Sequence, residues 1–350
     1  MPNQNKNSNR VRDRRVERGL TQSELAERVG ISRTAVTAIE GNKLVPSVAT
    51  ALSVASALDC TVEELFGPPI QTSDTTSWAW EPTTNSSRYW HAAVFGRTLK
   101  YPASVSPMWT VLPDLSGDRP DAASIDSRET LVLACCDPAA GLLASQFQRT
   151  TGMRLIVIPR SSSESLELLK QGLVHLAGLH FSTADCPQRN SDVVRARLGN
   201  DFELIRLSQW QEGIAIPVAS KHRTVRSVLG AKLTWIGREE GSGARQCLDQ
   251  LLQGRRSPRC VARNHQGVAT AIQSGWADAG VCVQLVSAEA GLRFLPVQEE
   301  AYDVCYSKRF AGDRRLAAFI NVVRSVAYRN LLSDLPGYNI TNAGCVSAVN

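Results

Sequence analysis

At 350 residues, 43% of them hydrophobic and 21% charged, the chain carries enough apolar material for more than one core, which excludes a disordered protein. The formal net charge of +6 admits a polyanionic partner without requiring one. The opening MPNQNKNSNRVRDRR lacks the apolar segment of a secretory signal, and no later stretch is long and apolar enough to span a bilayer, so cytoplasmic residence with no membrane partner is expected.

The first eighteen residues hold Lys6, Arg10, Arg12, Arg14, Arg15 and Arg18 against Asp13 and Glu17, a local basic arm. From residue 10 to residue 66 apolar residues recur at helical spacing, as in Leu25 and Val29, Val36 and Ile39, and Leu52, Ala55 and Leu58. Caps punctuate them. Thr21 with Glu24 and Thr61 with Glu64 form capping boxes, Ser32 and Ser47 stand where N-caps belong, and Gly30 suits a tight corner. Five short helices are expected, the second and third joined as a helix-turn-helix.

Residues 67–127 change texture. GPPIQTSDTTSWAWEPTTNSS is rich in Pro, Ser and Thr and reads as a mobile linker, while RYWHAAVFGRTLKYPASV and SPMWTVLPD suggest two or three short strands. The aromatics Trp78, Trp80, Tyr89, Trp90, Tyr101 and Trp109 are expected to pack these strands onto the next domain.

From residue 128 to residue 345, apolar runs (TLVLACC, RLIVIP, HLAGLHF, FELIRLS, GIAIPV, KLTWIG, AGVCV, RFLPV) alternate with helical segments. That alternation predicts parallel sheets covered on both faces. The chain doubles back around residues 213–232, which suggests two lobes and a cleft. KLTWIG runs through Gly241-Ser242-Gly243-Ala244 into a helix, a geometry that aims backbone N–H groups and the positive end of a helix dipole at an anion. The nine cysteines are odd in number and lack CxxC spacing, which suits reduced thiols. His175 and His180 have no cysteine or carboxylate at metal-ligand spacing, so neither a metal nor a cofactor is expected.

Two resemblances emerge from these stretches. TQSELAERVGISRTAVTAIEGNKLVPS resembles the lambda-repressor and Cro-like helix-turn-helix family, the xenobiotic-response-element type. The resemblance implies a recognition helix from about Ser32 to Glu40 in the major groove of double-stranded DNA. Arg33, Thr34 and Thr37 would face the bases, and Gln22, Asn42 and Lys43 the phosphates. LVLACCDPAAGLLASQFQ, SSSESLELLKQGLVHLAGLHF, EGSGARQCLDQLL and GWADAGVCV are similar to the type II periplasmic-binding-protein fold, most of all to its molybdate-binding-like branch. That resemblance implies a two-lobed α/β domain holding a small anion between the lobes. Ser242, Gly243, Ala244 and Arg245 would supply one wall, Ser161, Ser162 and Ser163 the other, with Tyr302 and His180 as further candidates. Asp137 reads as a helix cap, since a carboxylate repels an anion.

The combined expectation is a multi-domain, cytoplasmic, homodimeric transcription regulator that senses a molybdate- or tungstate-like oxyanion or a molybdopterin-related metabolite. GxSxG, Walker, Ser-x-x-Lys and HExxH patterns are absent, which disfavours an enzyme. The remaining alternative is a DNA-binding scaffold whose second domain only dimerises.

Overall fold

The computed structural model describes residues 9–66, 76–82, 88–103, 114, 126–253 and 258–349, with the side chains of residues 17, 63 and 64 excepted. Lys6, Trp109, the second capping box at Glu64 and most of both polar stretches lie outside them. Contacts divide the chain into two compact units, Met1–Thr75 and Thr76–Asn350.

Among the described residues, the first unit consists of α1 (Val11–Glu17), α2 (Gln22–Val29), α3 (Arg33–Glu40), α4 (Val48–Ala57) and α5 (Val62–Phe66). Local chemistry sets their limits. Thr21 and Glu24 form the reciprocal capping box that opens α2, and Gly30, at φ 75°, closes it in the left-handed region that a side chain disfavours. Ser32 caps α3 and Ser47 caps α4. The apolar stripes meet in one core of Val11, Leu25, Val36, Ile39, Val54, Leu58 and Leu65. The described part of the basic arm is largely the helix α1, and its charges are drawn on inside the unit: Arg15 pairs with Glu40 at 2.6 Å and Arg18 with Asp59 at 2.9 Å.

The second unit opens with β1 (Ser77–Trp78), β2 (Tyr89–Val94) and β3 (Arg97–Pro102), a small sheet in the order β1-β3-β2. Its inner residues Trp90, Ala92, Val94, Leu99 and Tyr101 share a core with Val132, Ile156 and Leu166. Then follow β4 (Thr130–Cys135), α6 (Ala140–Thr151), β5 (Arg154–Pro159), α7 (Ser162–Lys170), β6 (Leu176–Thr183) and α8 (Arg189–Leu198), which build one half. The long strand β7 (Phe202–Ile216) leads to the other half: α9 (Val225–Leu229), β8 (Trp235–Arg238), α10 (Gly243–Leu252), β9 (Cys260–Ala262), α11 (His265–Gln273), β10 (Ala279–Val283) and α12 (Gln284–Glu289). A second long strand, β11 (Arg293–Ser307), returns, followed by α13 (Arg314–Arg324), α14 (Val326–Ser333), β12 (Tyr338–Asn339) and β13 (Val346–Ala348).

The sheet departs from the expected parallel arrangement. It is one mixed ten-stranded sheet, ordered β5-β4-β6-β11-β7-β10-β8-β9 with β12 and β13 also on β7. The runs FELIRLS and GIAIPV are the two ends of the single strand β7, and RFLPV and AYDVCY are the two ends of β11. The polar middles of both strands pair antiparallel with each other along their length, so that FELIRLS and GIAIPV, two separate runs in the sequence, are one strand. Both strands therefore serve both halves. The late helical run is also broken, because Ser325 leaves helical geometry at ψ 142° to cap α14.

Candidate functional site

The middles of β7 and β11 carry the unusual chemistry. Trp210 pairs in register with Glu300 and Glu212 with Gln298, so the period-2 rule places Trp210, Glu212, Gln298 and Glu300 on one face of the sheet. His180 on β6 joins them: its Nδ1 lies 2.6 Å from Glu300 Oε2, which also accepts from Trp210 Nε1 at 3.1 Å. Gln298 donates to Glu300 Oε1 at 2.8 Å. From the other half come His265, the first residue of α11, and Arg238 at the end of β8. All five ionisable groups here (His180, Glu212, Arg238, His265, Glu300) are at most 2% exposed.

Burial alone opposes every one of these charges, and the neighbours decide which survive. Burial lowers the His180 pKa, but its interactions with Cys136 and with the Glu300 carboxylate outweigh it and hold His180 well above the usual histidine value. Burial raises Glu300, but the charge and bond of His180 bring it below the usual carboxylate value. Glu212 moves the opposite way: burial and then the Glu300 charge push it well up. His265 is pushed well down by burial and by the Arg238 and His180 charges. The neighbours thus favour the charged forms of His180 and Glu300 and oppose charge on Glu212 and His265, beside the Arg238 guanidinium.

It is also incompletely satisfied. Glu212 Oε1, Arg238 Nη1, His180 Nε2 and both ring nitrogens of His265 are buried without a hydrogen-bond partner. Native interiors rarely leave such groups alone, so their concentration here makes this cluster the candidate site.

Two helix N-termini from opposite halves meet beside this cluster. Ser161 is the N-cap of α7 and forms a capping box with Glu164, while the buried Ser162 Oγ has no partner. Ser163 Oγ donates to the Gly241 carbonyl at 2.8 Å, which joins the two turns directly. Ser242 caps α10: its Oγ accepts from Arg245 N at 3.2 Å and donates to Glu239 O at 2.9 Å. Gly243 lies flush on His180, where an added Cβ would stand 2.6 Å from the ring. Ala244 is buried in the core of the second half. Arg245 turns to Asp249 at 2.9 Å and to the Arg238 carbonyl at 3.3 Å. Tyr302 is fully buried and stacks on Trp210 at 4.6 Å, its hydroxyl against Gly178. The serine turns and the glycine turn are therefore brought together, and Tyr302 lies one ring behind His180. A cavity of about 160 Å³ opens between the halves, lined by His180, Gly243, Gln246, Gln298 and Glu300 among others.

Asp137 is not the cap expected of it: the N-cap of α6 is Ala139, without a side-chain cap bond, and Asp137 instead accepts from Ala139 N at 2.9 Å and from Tyr338 OH at 2.6 Å, bracing the turn before the helix. Sequence reasoning passed over Glu212, Arg238, His265 and Glu300. The available signal was a charged residue inside an otherwise apolar strand, as in WQEGIAI and VQEEAYDV.

In the first unit, Arg33 and Thr34 are exposed at the start of α3 and Thr37 one turn on. Thr34 Oγ1 contacts Ser32 Oγ at 2.8 Å, and Thr37 Oγ1 donates to Arg33 O at 3.0 Å. Gln22 donates to Glu40 at 2.8 Å and accepts from Thr37, which fixes α2 against α3. Asn42, at φ 54°, accepts from Asn9 N at 3.1 Å, and Lys43 is exposed beside it. The helix pair thus presents an exposed arginine and two hydroxyls on one short helix face, the form of a major-groove reader.

The architecture is that of a helix-turn-helix transcription-regulator domain followed by a two-lobed periplasmic-binding-protein-like domain. The PBP superfamily domain profile matches residues 144–324, just over half of the chain, and the chain belongs to that family. The helix-turn-helix profile matches residues 11–65. The uncharacterised protein YvgK of Bacillus subtilis is 26% identical over 234 residues, covering 64% of this chain and 75% of its own. An uncharacterised HTH-type transcriptional regulator of Methanothermobacter thermautotrophicus is 44% identical over 57 residues, 16% of this chain and 83% of its own. Among solved structures, the tungstate ABC transporter protein of Geobacter sulfurreducens matches 59% of this chain and 98% of its own at 15% identity and a TM-score of 0.47, too loose a likeness to decide a ligand. Among the described residues, no helix is long and apolar enough to cross a membrane.

Proposed function

We propose that the protein is a ligand-responsive transcription regulator, acting in the cytoplasm as a homodimer, with residues 1–66 binding double-stranded DNA and residues 128–345 holding a small anion. The observation that carries this reading is the meeting of two helix N-termini from opposite halves at one buried cleft, joined by Ser163 and Gly241. A ligand seated there engages both halves at once and so biases their closure. Closure that alters the pairing or spacing of two DNA heads changes affinity for half-sites about 34 Å apart. Linkage then requires DNA to change ligand affinity by the same factor.

The ligand class is a molybdate- or tungstate-like oxyanion or a molybdopterin-related metabolite. Thermal unfolding of the full chain with molybdate, tungstate, sulfate, phosphate and pterin phosphates separates these cases, since a ligand selective for the folded state raises the midpoint. If none of them does, the anion reading fails.

On the DNA side, Arg33→Ala should relax sequence preference and cost roughly 1–3 kcal/mol on the preferred site. Lys43→Ala should weaken all duplexes alike and lower the salt slope by about one. Quantitative binding across salt concentrations reads both. Equal behaviour of the two variants would remove the division between base reading and phosphate positioning.

A further inference from the structure

We propose that Cys136, His180 and His265 form a binding site for a borderline-soft divalent transition ion such as zinc or cobalt, one that bridges the two halves of the cleft. The sulfur of Cys136 and one ring nitrogen from each histidine lie within 4.8 Å of one another. The ligands of a tetrahedral zinc ion, at about 2.0–2.3 Å from the metal, stand roughly 3.3–3.8 Å apart, so a small contraction completes the set.

Three independent features point to a metal. First, His180 offers its Nδ1 to Glu300, which leaves the buried Nε2 as its free ligand atom. A carboxylate behind a ligating histidine is the usual arrangement that fixes the ring and its tautomer. Second, His265 is 1% exposed and neither of its nitrogens has a partner, a costly arrangement that coordination would relieve. Third, thiolate and imidazole together select zinc and its neighbours over magnesium or calcium. A second carboxylate is at hand, since a Glu212 oxygen lies within 4.8 Å of donor atoms of both His180 and Glu300.

The three residues are remote in sequence, and only the fold assembles them. Cys136 follows β4 and His180 lies on β6 in one half, while His265 begins α11 in the other. An ion held by all three would clamp the halves together, and with three protein ligands it would keep a fourth position for water or for an oxygen of the anion. On binding, the thiol proton and any proton on His180 Nε2 pass to solvent, and no redox change is involved.

The test uses the reduced full-length protein and cobalt(II) alone. We expect one equivalent to give the visible bands of four-coordinate cobalt and a near-ultraviolet thiolate charge-transfer band, both abolished by zinc. Cys136→Ser should remove the charge-transfer band, and Glu300→Gln should weaken binding by roughly 10- to 100-fold through loss of its hold on His180. His265→Gln should weaken it more. Serine at the exposed Cys260 and Cys345 should change nothing. X-ray absorption on the zinc-loaded native protein, which needs no variant to fold, should find one sulfur and two imidazoles. The absence of cobalt bands, a charge-transfer band that survives Cys136→Ser, or its loss with Cys186→Ser would overturn the site. Anion-induced stabilisation of the metal-free protein is measured separately, so the regulator reading stands or falls by itself.

Discussion

Two buried ionic clusters in the second unit make opposite use of the same residue types. In the first, Arg154 donates to both Asp114 oxygens, to Thr130 Oγ1 at 3.1 Å and to the His91 carbonyl at 2.9 Å, while Asp114 also accepts from His91 N at 2.8 Å. It ties β2 to the start of β5, and each of the donors and acceptors named is matched. In the second, around His180 and Glu300, five side-chain atoms on Glu212, Arg238, His180 and His265 have no match. A satisfied buried cluster fixes one arrangement of the chain. An unsatisfied one stores binding capacity at the expense of stability.

The largest effect is expected at the satisfied cluster. Arg154 is 2% exposed, so Asp114→Ala strands a buried guanidinium and should cost about 3–5 kcal/mol in urea unfolding of the full chain. A loss under about 1 kcal/mol would mean that the pair is hydrated and the contrast false. Acid should find the same region. Burial opposes the Asp114 charge, but the His91 and Arg154 bonds outweigh it and hold its pKa at about 2. His175, whose Nδ1 accepts from Val132 N at 3.0 Å, is lowered to about 3 by burial and then by Arg315. The unfolded chain takes up a proton at His175 from about pH 6.5 downward, which the folded chain refuses until about pH 3. Stability should therefore fall by up to about 1.4 kcal/mol per unit across that window, and the Asp114 contribution should follow as pH drops from about 3.8 through about 2. Thermal midpoints of native protein and His175→Gln from pH 7 to pH 4 check it: the variant's curve should be flatter.

A smaller effect separates seat from cap at α10. Ser242→Ala removes a hydroxyl that both donates to Glu239 O and accepts from Arg245 N, and should cost about 0.5–2 kcal/mol of stability as a lost cap. If the turn also holds the anion, ligand affinity should fall by a further 1–3 kcal/mol or so. Calorimetric titration and unfolding on one preparation distinguish the outcomes, and a stability loss with unchanged affinity removes the seat.

How much of this was legible follows from the range over which each signal acts. Thr21 with Glu24, Gly30, Ser32 and Ser47 act within a few residues, and the helices of the first unit are readable from them. The turns at Ser161 and Ser242 are likewise local, and their meeting was expected from the resemblance. The central cluster is different. Glu212 and Glu300 are brought together by the antiparallel register of β7 with β11, and His180 on β6, Arg238 on β8 and His265 on α11 join them only through the fold, so no sequence spacing encodes the cluster. Taking FELIRLS and GIAIPV as two separate runs hid that register, because the polar residues between them continue the strand and carry Trp210 and Glu212 to the cluster. Metal-ligand spacing was equally blind to Cys136 and His265, which the fold brings beside His180.

The smallest expected effect sharpens the comparison most. Glu212 is fully buried, its Oε1 is without a hydrogen-bond donor, and burial with the neighbouring Glu300 charge pushes its pKa well up. Gln298 Nε2 reaches its other oxygen only at 3.4 Å. Glu212→Gln preserves shape and hydrogen-bonding capacity toward Glu300 while removing a carboxyl whose charge burial opposes, so unfolding free energy should stay within about 1 kcal/mol of the native value, with any change on the stabilising side. The same isosteric change at a satisfied position, Asp114→Asn, should cost several times as much, since it removes the charge that holds Arg154. Equal losses for the two variants in the same urea titration would show that Glu212 has a structural partner in solution. A silent Glu212→Gln that nonetheless alters ligand or cobalt binding would place that carboxyl among the groups kept for a ligand.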